Sequence, residues 1–381
     1  MASTIAVVGA GRMGMSALSI LLKERPDARF VAIDILREAV DRAVALAPDR
    51  VDGRVGSFAN DRIDLTGVDV VINLAGPFYR GAEATAAAAV AAGAAYVDIA
   101  DDIEGIDSVL GLQDRAEAAG VPVVTGAGFS PGVSNWLAGR LLSENPEADG
   151  IQIAWAVHED DPGGLAPLRH MLHLAVNTCP VWENGAWRSS PGFVPSTART
   201  FRFPEPVGDI EAYDTAHPEP HLLVRHYPGL MNVSCKGALL PGWANSAFST
   251  LGRIGFGDTS LSVRIGESDI DPSEFLWKLL WARHDKRPSG ERHPVTALLV
   301  QALKGDQVVA SLALSDDEVM ARSTGLGAAV SALVLLDNDI AAGCWGPEVL
   351  PWRQALGHYE RIAASMGAFE RGIQVVAPSA R

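Results

Sequence analysis

The sequence predicts an α/β protein: a doubly wound parallel sheet, followed by a second domain of α+β character. Three observations carry this. A β-branched run, Thr4–Val8, leads into Gly9-Ala-Gly11-Arg-Met-Gly14 and then into a helical pattern from Met15 to Lys23. Strand-like and helix-like stretches then alternate to about residue 128, as right-handed βαβ crossovers require. Beyond that point period-2 runs at Ile151–Val157, Leu222–His226 and Leu261–Ile265 suggest a further sheet.

The elements follow in order. The first strand ends at a glycine trio whose spacing is that of a dinucleotide cradle: Gly9 for the tight turn, Gly11 for close approach of a pyrophosphate, Gly14 for helix–strand packing. The backbone of Arg12 and Met13 opens the helix whose positive end meets the phosphates. A second strand, Arg29 to Ile33, ends in Asp34, 20 residues past Gly14. An acid there accepts hydrogen bonds from the ribose hydroxyls and repels a 2′-phosphate, which favours NAD. Arg37, three residues on, could meet such a phosphate if Asp34 turned away, so NADP stays open. Then come a helix at Leu36–Ala47, strands at Arg54–Phe58 and Asp69–Asn73, a helix at Ala82–Ala92, and a strand from Tyr96 to Ile99. A helix over Ser108–Ala119 and a strand over Val121–Thr125 complete the sheet. Uninterrupted apolar strands fit burial on both faces.

Ligands of such sheets lie beyond the carboxyl ends of the strands. The candidate floor is therefore Gly9–Gly14, Asp34, Leu74–Phe78, Asp98–Asp102 and Gly126–Ser130. In the third of these, Ala75 and Gly76 allow close backbone approach, Pro77 fixes the turn, and Phe78 offers a flat apolar face to the nicotinamide. Asp98, Asp101 and Asp102 are either solvated loop acids and helix caps, or an acidic subsite for a substrate amine.

Composition narrows the class. The 381 residues suffice for about two domains, and 48% hydrophobic with 20% charged content is that of a soluble globular protein. A net charge of −15 argues against a nucleic-acid partner. No signal-peptide pattern precedes the first strand, and the apolar stretch Ala82–Ala95 is too short to span a bilayer. Cys179, Cys235 and Cys344, three and scattered, suggest reduced thiols and a cytoplasmic location. No C-x-x-C or H-E-x-x-H occurs, so no metal is expected.

Several segments together resemble the saccharopine dehydrogenase-like family, in its saccharopine reductase and lysine 6-dehydrogenase branch. They are Asn73-Leu-Ala-Gly-Pro-Phe-Tyr-Arg-Gly81, Ala92-Gly-Ala-Ala-Tyr-Val-Asp98 and Gly128-Phe-Ser-Pro-Gly-Val-Ser-Asn135. Further along, Thr215-Ala-His-Pro-Glu219 resembles the T-x-H-x-E segment of the family's amino-acid dehydrogenases, and Asn184-Gly-Ala-Trp187 a short hairpin. The likeness is firm over residues 1–145 and loose to about 360. It implies a Rossmann domain over 1–128, an α+β substrate-binding and dimerisation domain over 129–320, and a segment from 321 to 381 that packs back on the first domain. Independently, Gly325–Leu336 reads as a buried apolar helix. The resemblance also implies a homodimer and an NAD(P)-dependent oxidoreductase acting on the CH–NH group of an amino acid or amine.

In such a reaction the cofactor carries the hydride, and the protein orients substrate and manages one proton. His217 is the leading base, since an unperturbed imidazole titrates near neutral pH, and Glu219 would share its strand face if the stretch is extended. His158, His170, His173, His221 and His226 are weaker rivals. Arg80 and Arg225 are the first candidates for a substrate carboxylate, with Arg169 and Arg188 next, and Phe129 and Asn135 line the substrate side. Lys236 is the lysine nearest these segments. No tyrosine has a lysine four residues on, which excludes the short-chain dehydrogenase pattern. Two other readings stay open: a homospermidine-synthase-like enzyme that uses NAD transiently, and a nucleotide-binding protein without turnover.

Overall fold

A computed structural model describes residues 3–61, 63–159, 161, 178–258, 260–286, 288, 294–368 and 371–377. His170, His173 and Arg169 lie outside the described residues. The chain forms two compact units, one of Met1–Arg140, His221–His226 and Ala321–Gly367, the other of Leu141–Pro220, Tyr227–Met320 and Ala368–Arg381. The division departs from the expected boundaries at residues 129–140, 221–226 and 368–381.

The first unit opens with β1 (Thr4–Val8), α1 (Arg12–Glu24), β2 (Arg29–Asp34), α2 (Arg37–Ala45), β3 (Val51–Val55) and β4 (Val70–Asn73). It continues through α3 (Ala82–Ala92), β5 (Ala95–Asp98), α4 (Ile103–Leu110), α5 (Gln113–Ala119), β6 (Pro122–Val124) and the start of α6 (Val133–Glu144). The remaining elements of the chain are β7 (Gly150–His158), β8 (Thr178–Glu183), β9 (Ala186–Pro191), β10 (Arg199–Arg202), β11 (Asp209–Asp214), α7 (Glu219–His226) and β12 (Asn232–Leu240). After them come α8 (Trp243–Leu251), β13 (Val263–Ile265), β14 (Ser268–Ile270), α9 (Pro272–Lys286), β15 (Thr296–Lys304), β16 (Gln307–Asp316), α10 (Met320–Asp337), β17 (Gly343–Trp345), α11 (Trp352–Ser365) and β18 (Gln374–Val375).

The first sheet runs β17-β6-β5-β4-β1-β2-β3, and all its pairings are parallel. Its central strands are buried on both faces: Ile5, Phe30, Ile33, Val70, Ile72, Tyr96 and Val97 are fully buried. Strand order reverses beside β1, which pairs with β2 on one side and β4 on the other. That reversal is the topological switch point at which such sheets bind ligands.

Helix α10 begins at Met320, ahead of the expected Gly325, and is buried along most of its length. It is long and apolar enough to cross a membrane, yet 78% of the window that qualifies is buried inside the protein, as for a core helix. Glycines set its contacts within the first unit. A Cβ on Gly325 would lie 2.7 Å from the Ser16 Cβ of α1, and one on Gly327 would lie 2.2 Å from the Gly128 carbonyl oxygen.

Three sequence expectations shift for local reasons. The stretch Leu222–His226 is the body of helix α7, not a strand; adjacent Leu222 and Leu223 are both fully buried, which an alternating strand with one wet face cannot do, and Pro220 sits at a helix start where its missing N–H is not needed. The expected helix over Ser108–Ala119 is two helices that part at Gly111-Leu112, and α4 starts earlier because Asp102 caps it by accepting from the Gly105 N–H at 2.8 Å. Strand β3 precedes the expected Arg54–Phe58, since Ser57–Asp61 closes a turn through the Asp61 carboxylate.

The second unit is built on a nine-stranded mixed sheet with the path β10-β11-β12-β7-β15-β16-β18, β8 pairing β12 and β9. The β8–β9 hairpin turns on Asn184-Gly185, both at positive φ (53° and 74°), as a two-residue hairpin turn demands. One sheet face carries a core of Ala154, Ala156, Phe201, Phe203, Ala212, Ala238, Ala297, Leu299 and Ala313. The run Leu261–Ile265 contributes only β13, which pairs with β14 in a separate exposed hairpin.

Replacing Gly327 by Val should therefore lower stability by about 2–3 kcal/mol through overpacking against Gly128. Urea unfolding of the G327V variant checks this; an unchanged midpoint would show that α10 does not approach the Gly128 backbone so closely.

Candidate functional site

In the first unit the glycine-rich turn is shaped by backbone-on-backbone contact. Gly9 adopts a φ of 87°, and a Cβ on it would lie 2.7 Å from the Ala75 nitrogen. A Cβ on Gly14 would fall 1.8 Å from the Gly9 carbonyl oxygen, so only glycine lets α1 start here. Gly11 differs: a Cβ there meets nothing within 4 Å, and Gly11 caps α1 without a side-chain bond. The first turn of α1 carries no acid. This is open space in front of backbone N–H groups at a positive helix end, the shape and polarity a pyrophosphate needs. The residues fit a dinucleotide.

Asp34 closes β2 and is tied to the same turn. Its carboxylate accepts from the Ala10 N–H at 2.7 Å and the Leu36 N–H at 2.9 Å. One bond per oxygen leaves acceptor capacity on both for ribose hydroxyls. Arg37 begins α2 with its side chain largely exposed, 3.8 Å from Asp41. After β4, Ala75 and Gly76 are exposed and Pro77 half-buried, and the Ala75 N–H is held by Asn73 Oδ1 at 3.1 Å. Phe78 is buried rather than an open face, and a Cβ on Gly105 of α4 would lie 3.0 Å from its Cβ.

Asp98 corrects another expectation. It is completely buried and cannot meet a substrate amine, because its carboxylate is saturated from within the fold. Tyr96 Oη donates to it at 3.0 Å, Thr125 Oγ1 at 2.8 Å, the Gly126 N–H at 2.8 Å and the Ala100 N–H at 3.0 Å. Asn73 Nδ2 donates to Tyr96 Oη at 3.0 Å and joins β4 to the same network. Asp98 thereby fixes the loops that leave β4, β5 and β6. Burial pushes its carboxyl up, against the downward pull of the Gly126 and Ala100 N–H groups and the Thr125 and Tyr96 hydroxyls. The Tyr96 phenol is pushed well up, by burial and then by the Asp98 charge.

Asn135, another expected substrate residue, is likewise taken up by the fold. Asn135 is fully buried; its Oδ1 accepts from the Gly132 N–H at 3.0 Å and its Nδ2 donates to Glu348 at 2.8 Å. Phe129 is buried. Arg225 sits exposed in the last turn of α7, where its charge acts on the buried Cys344 thiol, which burial raises to about 11. Arg80 ends a short 3₁₀ turn, Phe78–Arg80, and Asp101 is half-buried in the loop after β5.

The second unit holds the other candidate cluster. His217 Nδ1 lies 3.0 Å from Glu219 Oε2, with side-chain exposures of only 6% and 0%. The pairing does not come from a shared strand face, because Glu219 is the first residue of α7. Cys235 of β12 completes the group: the ligating atoms of His217, Glu219 and Cys235 all lie within 4.8 Å of one another. Burial, and next the Glu219 charge, push the Cys235 thiol far up, so it is a protonated donor to that carboxylate. Lys236 is engaged elsewhere, with Asp214 and with the Thr197 carbonyl at 2.8 Å. Sequence reasoning missed Cys235 and Trp155, whose ring centroid is 5.4 Å from that of His217. Both arrive through the parallel pairing of β7 with β12, between segments about 80 residues apart, which no local pattern announces.

Comparison with known proteins agrees with the first unit. Residues 5–124 match the family described as saccharopine dehydrogenase NADP binding domain. Apo saccharopine dehydrogenase (L-Glu forming) from Saccharomyces cerevisiae has the same fold, with 14% identity, a TM-score of 0.67, and coverage of 98% of this chain and 100% of that one. A myo-inositol dehydrogenase from Corynebacterium glutamicum aligns over 100% of both chains at 13% identity, with a TM-score of 0.42.

The Asp98 network makes a prediction with a definite sign. Its folded carboxyl is raised above the unfolded value near 3.8, so the folded state holds the proton more tightly. The stability from this group is complete below that unfolded value and is lost as pH rises through the folded one. Asp98→Asn should remove this component while preserving most of the hydrogen bonds. Urea unfolding from about pH 4 upward checks it; the same pH slope in wild type and D98N would refute the assignment.

Proposed function

We propose that this saccharopine dehydrogenase-like chain is an NAD-dependent oxidoreductase acting on the CH–NH group of an amino acid or amine, by oxidative deamination or the reverse imine reduction. The observation that carries the reading is the buried His217–Glu219 pair at 3.0 Å, in a chain whose first domain is built to cradle a nicotinamide dinucleotide. Bound at Gly9–Gly14, that cofactor supplies the two-electron chemistry, taking up or returning a hydride.

The chain's own groups do the rest. Glu219, backed by the Cys235 thiol, accepts from His217 Nδ1–H. That bond fixes the tautomer and leaves Nε2 free of a proton, ready to accept one from a substrate ammonium. Oxidation of the carbon then leaves an iminium group, and the proton removed from nitrogen stays on His217 until solvent takes it. In reverse, the same Nε2 returns the proton. Glu219 stabilises the imidazolium that forms in either direction.

For the cofactor, the backbone-anchored carboxylate of Asp34 supports NAD over NADP, although the matched family is described as NADP-binding. Its charge sits where a 2′-phosphate would be repelled. Two further points follow from the resemblance and the cysteine pattern: a homodimer, and a cytoplasmic setting.

His217→Ala should reduce turnover by about 10²- to 10⁴-fold with cofactor binding intact. Steady-state NADH formation across amino acids and amines reads the first, and fluorescence titration with NADH the second. Near-normal turnover removes His217 from the mechanism, and tight cofactor binding with no turnover of any substrate by wild type removes the enzyme reading. In the same titration Asp34→Ala should narrow the preference for NAD over NADP by roughly tenfold or more; an unchanged ratio of dissociation constants would mean that Asp34 does not read the ribose.

A further inference from the structure

The face of the second sheet opposite its alanine-rich core holds a buried donor without a partner among the described residues. Residues on β7 and β12 alternate: Ala154, Ala156 and Ala238 enter the core, so Trp155, Cys235 and Gly237 belong to the other face. Trp155 is 5% exposed. Its Nε1 has no hydrogen-bond partner among the described residues. Buried indole N–H groups normally find an acceptor, and one left alone loses the hydrogen bond it had with water.

The ring is fixed in place. Gly237 is the register partner of Trp155, and a Cβ on Gly237 would fall 2.1 Å from the indole Cζ2. Only a glycine on β12 lets the indole lie on the strand. In that position its centroid is 5.4 Å from the His217 ring, at an interplanar angle of 41°. A second orphan follows on the same face: the buried Thr296 Oγ1 has no partner among the described residues. Thr296 stands two residues along β15 from Leu298, which pairs with Trp155.

We propose that the Trp155 indole N–H is a substrate-binding donor that takes a carboxylate oxygen of the substrate beside His217. The inference rests on the reading of His217 as the proton acceptor and adds the substrate class: amino acids and oxo acids, rather than simple amines. A fixed neutral donor suits this place. A cation packed against His217 would oppose the imidazolium that forms there, whereas an indole N–H binds the carboxylate without that repulsion. The lysine next along β12, Lys236, is turned to the other face and held by Asp214.

The test uses the full chain labelled with ¹⁵N-tryptophan and saturated with NAD. The chain has nine tryptophans, and the indole signal missing in Trp155→Phe is that of Trp155. Each proteinogenic L-amino acid, its 2-oxo acid and its decarboxylated amine is added in turn at millimolar concentration. At least one acid should move the Trp155 N–H proton downfield while its amine does not. W155F, which keeps the aromatic surface, should bind that acid roughly tenfold or more weakly and bind NAD as wild type does. If no acid moves the signal, or if W155F binds the best acid as tightly as wild type, the proposal is overturned. A moved signal without any NADH formation would leave the carboxylate site standing and remove the oxidoreductase reading; turnover with an unmoved signal would do the reverse.

Discussion

The first unit depends on one steric fact: at Gly9, Gly14 and Leu74 three backbone segments approach to distances that exclude a side chain. Because α1 starts directly on the turn after β1, its N–H groups open where β1 separates β2 from β4. Asp34 then ties the end of β2 to the same turn through the Ala10 N–H. The glycine-rich turn, the end of β2 and the loop after β4 are thus one construction, in which close main-chain contact is joined by the Asp34 and Asn73 side chains.

That is also why the first domain was legible. Its decisive residues are glycines and a strand-end acid at fixed spacings, and its strands are local apolar runs. Helix α3 over Ala82–Ala92 lies where its alanine-rich pattern put it. What escaped was what depends on distant partners. Asp98 and Asn135 sit among recognisable motif residues, yet each is consumed by the fold: one chiefly by donors from the neighbouring strand end after β6, the other by Glu348, more than 200 residues away. A motif shows that a residue type is needed, not which way its side chain faces. Phe78 illustrates the same limit, since a phenylalanine after Gly-Pro suits a ligand wall and a core equally well.

The second unit inverts the relation. His217 and Glu219 are legible as a pair from their spacing, but not the geometry that joins them. They meet because the chain turns into α7 at Glu219, not because they alternate along a strand. Cys235 and Trp155 could not have been added from spacing, since they depend on the register between β7 and β12. Burial of a histidine, a carboxylate and an indole together on one sheet face opposes folding, whereas the alanine and phenylalanine face opposite favours it. One sheet therefore separates its two tasks by the alternation of its strands.

The first unit is not continuous in the chain, and this shapes how it is made. Strand β6 ends at Val124, but its outer neighbour β17 begins only at Gly343, and the helix that covers α1 through Gly325 comes just before it. At roughly 5–20 residues per second, the ribosome needs about 10–40 s to deliver that missing edge. During this interval the nascent sheet exposes an unpaired parallel strand and an uncovered apolar helix face, while the intervening unit emerges with a hydrophobic core of its own. The nascent chain is thus exposed to chaperones and to aggregation at an edge that disappears once synthesis is complete.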